Sequence, residues 1–140
     1  MNHPPYTPPR YYYDMYINRP LSDPLMGDWA KQDDADQNGL IYNTDRGIIP
    51  PQALKRAKAA YYGSITHIDH QILRLIQAVF EYRQLSNTVF VFLSDHGEML
   101  GAHRLFQKMC MYEESAKTPL SIHLPGGQGR GTVREELVSH

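Results

Sequence analysis

Asp95 and His96 stand side by side, followed by Gly97 and Glu98, with His103 and Lys108 a few residues further on. An aspartate beside a histidine offers one divalent cation a hard carboxylate oxygen and a borderline imidazole nitrogen. The glycine that follows lets the backbone turn tightly behind them. A bare Asp-His pair also occurs in ordinary turns and caps, so the pair takes its meaning from the element that delivers it. That element is the run Thr88-Val89-Phe90-Val91-Phe92-Leu93, apolar throughout and rich in β-branched and aromatic residues. It predicts a strand over 88–93 buried on both faces. In open α/β sheets ligands bind beyond the carboxyl ends of the strands, which is where residues 94–98 fall.

The elements around that strand are uneven. Pro50-Pro51 suits a helix start, and Ile65, Ile68, Ile72, Leu75, Ile76 and Val79 recur at steps of three and four, predicting a helix over 51–84. Thr66, His70, Arg74 and Gln77 fall on its polar face. Residues 119–124, Pro-Leu-Ser-Ile-His-Leu, read as a second strand closed by the turn signal Pro125-Gly126-Gly127. Strands buried on both faces belong to parallel sheets covered by helices, so the expectation is an α/β fold with the long helix packed on buried strands. Residues 1–49 are rich in proline and tyrosine and show no sustained period, with an acidic patch at Asp33, Asp34 and Asp36. They read as a long loop that wraps over the scaffold, because disordered segments are poor in aromatics. Residues 50–140 hold the helix, the strands and the site loop. Two strands do not make a free-standing sheet, so all 140 residues read as part of one larger α/β domain.

Composition narrows the function classes. Fourteen Lys and Arg against 15 Asp and Glu give a net charge of −1, and no stretch clusters the basic residues densely enough to follow a phosphate backbone, so nucleic acid is not an expected partner. Cys110 is the single cysteine and forms no intrachain disulfide. No apolar h-region opens the chain and no window approaches a membrane span, which predicts neither a signal peptide nor a spanning helix within it.

Residues 91–126, VFLSDHGEMLGAHRLFQKMCMYEESAKTPLSIHLPG, resemble the sulfatase family of the alkaline phosphatase superfamily. In that family an apolar strand leads into Asp-His-Gly-Glu, then Leu-Gly-x-His, a Lys, a Tyr-Glu-Glu-Ser segment and Pro-Leu. Residues 60–72, AYYGSITHIDHQI, resemble the helix before that strand, and His3-Pro4-Pro5-Tyr6 with Tyr16 resembles an upstream His-x-Pro-Phe segment. The resemblance implies a partial alkaline phosphatase-like fold and a sulfuric ester hydrolase. The implied substrate is a small sulfate ester or a sulfated carbohydrate. It implies Asp95 and His96 as metal ligands, for Ca2+ first, with Mg2+, Mn2+ or Zn2+ as alternatives. Lys108 matches the lysine that contacts the sulfate oxygens, and its compact charge suits an anion whose transition state spreads charge over oxygen. His3 matches the histidine near the leaving-group oxygen, where an imidazole donates a proton as the ester bond breaks. His103 is implied either to line the substrate pocket or to buttress the loop.

Two parts of the family pattern are missing. Sulfatases carry a Cys/Ser-x-Pro/Ala-x-Arg motif converted to formylglycine, and no such motif occurs; Cys110 precedes Met111, Tyr112, Glu113 and Glu114 and reads as a small packing residue. The early Asp-Asp metal pair is absent too, since Asp33-Asp34 follows no apolar strand. The chain therefore reads as a fragment of a longer sulfatase, inactive alone, or as a non-catalytic remnant. A phosphonate monoester or phosphodiester hydrolase is the alternative within the superfamily, because Asp-His-Gly-Glu is shared with those relatives.

Overall fold

A proline at the first position of a helix gives up no hydrogen bond that the helix would otherwise make, and Pro51 opens the longest element, α2 (Pro51–Glu81). At 31 residues it is about 46 Å long. It stops three residues short of the expected end because Arg83 turns left-handed, at φ 57°. The computed structural model describes residues 3–31, 49–136 and 138. The acidic patch at Asp33, Asp34 and Asp36 lies outside these described residues.

The segment expected to be loop throughout contains a helix, α1 (Arg10–Ile17). Its contacts are made by tyrosines rather than by an aliphatic stripe, so its period is hidden from a hydrophobicity reading. The Tyr12 ring lies 4.9 Å from that of His67, the Tyr12 hydroxyl pairs with His70 Nδ1 at 3.1 Å, and the Tyr16 hydroxyl pairs with Thr66 Oγ1 at 2.6 Å. The face of α2 that carries Thr66 and His70 is thus the seat of α1, with both histidines used in packing. Gly63 makes the close approach possible, since a Cβ there would sit 2.9 Å from the Tyr12 carbonyl oxygen. Backbone cannot swing aside as a side chain can, so Gly63→Leu is expected to cost about 2 kcal/mol of stability. Urea unfolding measures this, and a midpoint at or above that of the parent would show that α1 is not held here.

The sheet differs from expectation in direction and in burial. β1 (Phe90–Leu93) and β2 (Leu120–His123) pair antiparallel, with Phe90 opposite His123 and Leu93 opposite Leu120. A parallel partner needs a crossover that returns to the start of the first strand. Here the connection stays at the carboxyl end of β1, passes through the single-turn helix α3 (Glu113–Ala116), and enters β2 directly opposite Leu93. The strands were also expected to be buried on both faces. Phe92, Leu93 and Ile122 are instead about half exposed, as is the outer stripe of α2 at Leu75 and Phe80. One helix and a two-stranded ladder have too little surface to cover both faces of a sheet. The partial α/β architecture stands, with the turn at Pro125–Gly127 following β2 as its sequence implies. Among the described residues no helix is long and apolar enough to cross a membrane.

The packed core lies in the loop after β1. Met99, Ala102 and Leu105 are buried against one another, with Cys110 and Tyr112 packed on them, so Cys110 serves as a packing residue. Lys58 closes the other flank: its buried Nζ donates to the Ser22 carbonyl at 2.6 Å, and burial lowers its pKa against the opposing pull of Asp23.

Candidate active site

Four backbone and side-chain hydrogen bonds shape the turn that leaves β1. Ser94 Oγ donates to the His96 carbonyl at 2.8 Å, and the His96 N–H donates to Asp95 Oδ1 at 3.0 Å. His96 Nδ1 lies 2.8 Å from the Gly97 carbonyl, which only accepts, so Nδ1 carries the ring proton and Nε2 carries the lone pair. The Gly97 N–H donates to the Ser115 carbonyl at 2.7 Å, docking the turn on α3. His96 Nε2 and Asp95 Oδ2 then face each other at 3.5 Å. Two acceptors held that close present a pair of donors to a single cation, and the Nδ1–H to carbonyl bond is the arrangement that fixes a metal-binding imidazole. Desolvation pushes the Asp95 carboxyl up, but the His96 ring, the backbone amides of Asp95 and His96, and the Lys108 ammonium together hold it below the ordinary value. Among the described residues no cluster of three or more His, Cys, Asp or Glu is placed to hold a metal, so Asp95 and His96 are the two side chains of this turn that could contribute to one.

The loop from 98 to 107 brings Lys108 back to this turn. Glu98 Oε1 accepts from the backbone N–H of Gln107 at 2.6 Å and of Leu100 at 3.2 Å, and the Met99 N–H donates to the Gln107 carbonyl at 2.9 Å. Glu98 therefore acts as a structural acceptor that closes this loop. Lys108 sits between two left-handed residues, Gln107 at φ 66° and Met109 at φ 76°. Such conformations cost on the order of 1 kcal/mol or more each and persist where surrounding contacts impose them. The ammonium of Lys108 ends against His3 Nε2. His3 Nδ1 lies 3.2 Å from the Pro4 carbonyl, so the two contacts agree on one tautomer, with the proton on Nδ1 and Nε2 accepting from Lys108.

His3 and the Asp95-His96 turn line one cleft of about 80 Å³, together with Pro4, Tyr61, Ser94, Gly97 and Glu98. That volume suits a small polyatomic group, well below the hundreds of Å³ of a drug-sized pocket. The cleft thus has two donors for a cation at one end and a cationic amine with an imidazole beside it.

His103 is placed elsewhere. It is buried, its Nδ1 accepts from the Gly27 N–H at 2.9 Å, and its ring packs 4.7 Å from Tyr112 and 5.5 Å from Trp29. Of the two readings for this residue, pocket lining or loop buttress, this geometry gives the buttress, since it does not line the cleft. Sequence reasoning missed Tyr6 and Tyr61, whose rings meet edge to face at 5.3 Å behind His3. The available signal was the spacing of Tyr6 from His3 together with Tyr61 at the centre of a helix already read as amphipathic.

Comparison with known proteins identifies the family. A family profile described as Sulfatase matches residues 1–140. Over 129 residues, 92% of this chain, the sequence is 54% identical to an arylsulfatase of Clostridium perfringens (strain 13 / Type A), covering 27% of that protein. It is 32% identical over 127 residues to a choline-sulfatase of Rhizobium meliloti (strain 1021), covering 89% of this chain and 25% of that one. Among solved structures it resembles the phosphonate monoester hydrolase of Agrobacterium radiobacter, with a TM-score of 0.52 and 36% identity over 54% of this chain and 15% of that one. The chain thus spans about a quarter of the length of the curated relatives it matches. With the whole of its length matched by the family profile and 54% identity to an arylsulfatase over 92% of it, this chain belongs to the sulfatase family.

Proposed function

We propose that this chain forms one side of the active site of a sulfuric ester hydrolase, holding the sulfate group and the leaving oxygen. The observation that carries the reading is the contact of Lys108 Nζ with His3 Nε2 beside the cleft that ends at Asp95 and His96. The Lys108 ammonium offsets charge on the non-bridging sulfate oxygens as the S–O bond lengthens. His3 Nε2 accepts from that ammonium and holds it in place, and the ammonium supplies the proton to the departing oxygen, which leaves as an alcohol or phenol. Asp95 Oδ2 and His96 Nε2 are the groups that would hold a divalent cation, Ca2+ first among them. When bound, that cation neutralises part of the sulfate charge. The formylglycine of sulfatases does not fit any residue of this chain: Cys110 is packed in the Met99-Ala102-Leu105 cluster and lacks the Pro or Ala and the Arg of the motif. No step is assigned to it, and the 140-residue chain alone is expected to turn over no sulfate ester.

The test is a segment exchange. The 129 aligned residues replace the matching part of the Clostridium perfringens arylsulfatase, which is 54% identical there. The hybrid is expected to hydrolyse p-nitrophenyl sulfate in preference to a phenylphosphonate monoester. A folded hybrid that prefers the phosphonate ester would establish the alternative that the Agrobacterium radiobacter likeness raises. Substrates of this class extend from small sulfate esters to sulfated carbohydrates.

Two protein donors fall well short of the six to eight oxygens that calcium takes, so this chain should bind Ca2+ only at about millimolar strength or weaker. Calorimetry on the 140-residue chain measures this, and Asp95→Ala is expected to abolish the remaining heat. A tight isotherm that survives Asp95→Ala would put the cation somewhere other than the strand end.

A further inference from the structure

We infer that Glu98 is the positioning residue of this site, acting through its acceptor geometry to aim Lys108 at His3. This rests on the sulfate-site reading for its functional consequence, though the positioning itself is measurable without any ligand. The cleft is lined by His3 and Pro4, by Tyr61 of α2 and by residues 94–98, and Lys108 meets it through its contact with His3. Glu98 belongs both to the cleft and to the loop that carries Lys108. It lies two residues after His96 and lines the cleft itself. Its Oε1 takes the N–H of Gln107 at 2.6 Å, the residue immediately before Lys108.

The geometry explains why such a clamp is needed. A lysine has a flexible stem and three rotatable donors, so by itself it does not fix where its ammonium ends. Here its direction is set by the backbone, which is left-handed on both sides of Lys108. A non-glycine residue relaxes out of that conformation unless its own peptide groups are held. Gln107 is held at both of them, its N–H by Glu98 Oε1 and its carbonyl by the Met99 N–H. The second of these bonds belongs to the residue following Glu98, so both pass through the same point of the turn.

The experiment uses the full 140-residue chain, isotopically labelled, with three variants at one position. Glu98→Gln keeps an acceptor oxygen at the same reach and removes the charge. Glu98→Asp keeps the charge and withdraws the oxygen by one methylene, and Glu98→Ala removes both. The readouts are amide hydrogen exchange at Gln107, the nuclear Overhauser contact between the Lys108 side chain and the His3 ring, and the response of Lys108 to inorganic sulfate. Glu98→Gln is expected to keep all three close to the parent. Glu98→Asp should speed Gln107 exchange about tenfold or more, erase the Lys108–His3 contact and weaken the sulfate response, while α1 and α2 stay protected. If Glu98→Ala folds, it should behave as Glu98→Asp does; if it does not fold, the Gln and Asp variants decide. The reverse order, Asp retaining the contact and Gln losing it, would show that charge rather than acceptor geometry matters and would overturn the inference. A parent chain with the Lys108–His3 contact but no sulfate response would count against the sulfate reading alone. A folded Glu98→Asp variant with unchanged exchange and contact would count against Glu98 alone.

Discussion

In a hybrid sulfatase carrying this chain, Lys108→Ala is expected to lower kcat/KM for an aryl sulfate by about a hundred- to a thousandfold, the usual effect of deleting one preorganised charge-stabilising donor. The loss should fall on kcat more than on KM, because the ammonium gains most from the charge that builds on oxygen as the ester bond breaks. Lys108→Arg should not restore the rate. A guanidinium is longer, planar and branched, and Lys108 already ends against the His3 ring, so the larger group has no room to occupy the same point. His3→Ala is expected to cost a similar factor by releasing the Lys108 ammonium from its place, and the double variant should lose far less than the product of the two. That coupling is the strongest form of the prediction, since His3 and Lys108 share one contact. Steady-state kinetics on the two single variants and the double variant test it. Fully multiplicative losses would mean that the two residues act at separate places.

The turn, the lysine and the histidine were readable before any coordinates because each lies in an ordered string. Ser94 to Glu98 follows an apolar run at a strand end, and Lys108 follows at a loop-length distance. Their gathering at one cleft depends on things a sequence pattern does not carry. The return of Lys108 is enforced by left-handed backbone at Leu100, His103, Arg104 and Gln107, none of them glycine, and such conformations have no compositional signature. Glu98 shows the same limit. Any carboxylate can accept, but which N–H it takes depends on the loop closing over nine positions to Gln107.

The errors in the fold have a common origin in partners that the local sequence does not specify. An apolar run on both faces of β1 implies cover on both faces, and that implication was extended to a parallel neighbour. The direction of β2 was instead decided by where the intervening loop stays, close to the carboxyl end of β1. Similarly, α1 was hidden because its packing chemistry is phenolic: Tyr12 and Tyr16 bind α2 through ring contacts and hydroxyl hydrogen bonds to His70 and Thr66. A periodicity scan assigns those α2 residues to the polar, solvent-facing side. The helix pair was therefore legible as one helix and a loop, although every residue of its interface was in view.

Gly97→Ala should be the most damaging alanine substitution among the described glycines, because the added methyl has no space and its obstacle is backbone. A Cβ at Gly97 would lie 2.0 Å from the Glu114 carbonyl oxygen, 2.9 Å from its carbon and 3.2 Å from the Ser115 oxygen. To relieve this the turn must lift from α3, which also breaks the 2.7 Å bond from the Gly97 N–H to Ser115 and frees the carbonyl that fixes the His96 ring. Overpacking of this kind, added to a lost hydrogen bond, is expected to destabilise the chain by about 3 kcal/mol or more. Gly126→Ala is the control. That glycine is left-handed, at φ 71°, but nothing lies within 4 Å of its Cβ position, so its substitution costs only the conformational penalty of about 1 kcal/mol. Gly97 has no such conformational demand, so the two variants separate collision from strain. Denaturant unfolding of both should place Gly97→Ala well below Gly126→Ala, with calcium heat lost in the first and kept in the second. Equal midpoints would mean that the strand-end turn yields easily to α3, and that the facing of Asp95 and His96 does not depend on this docking.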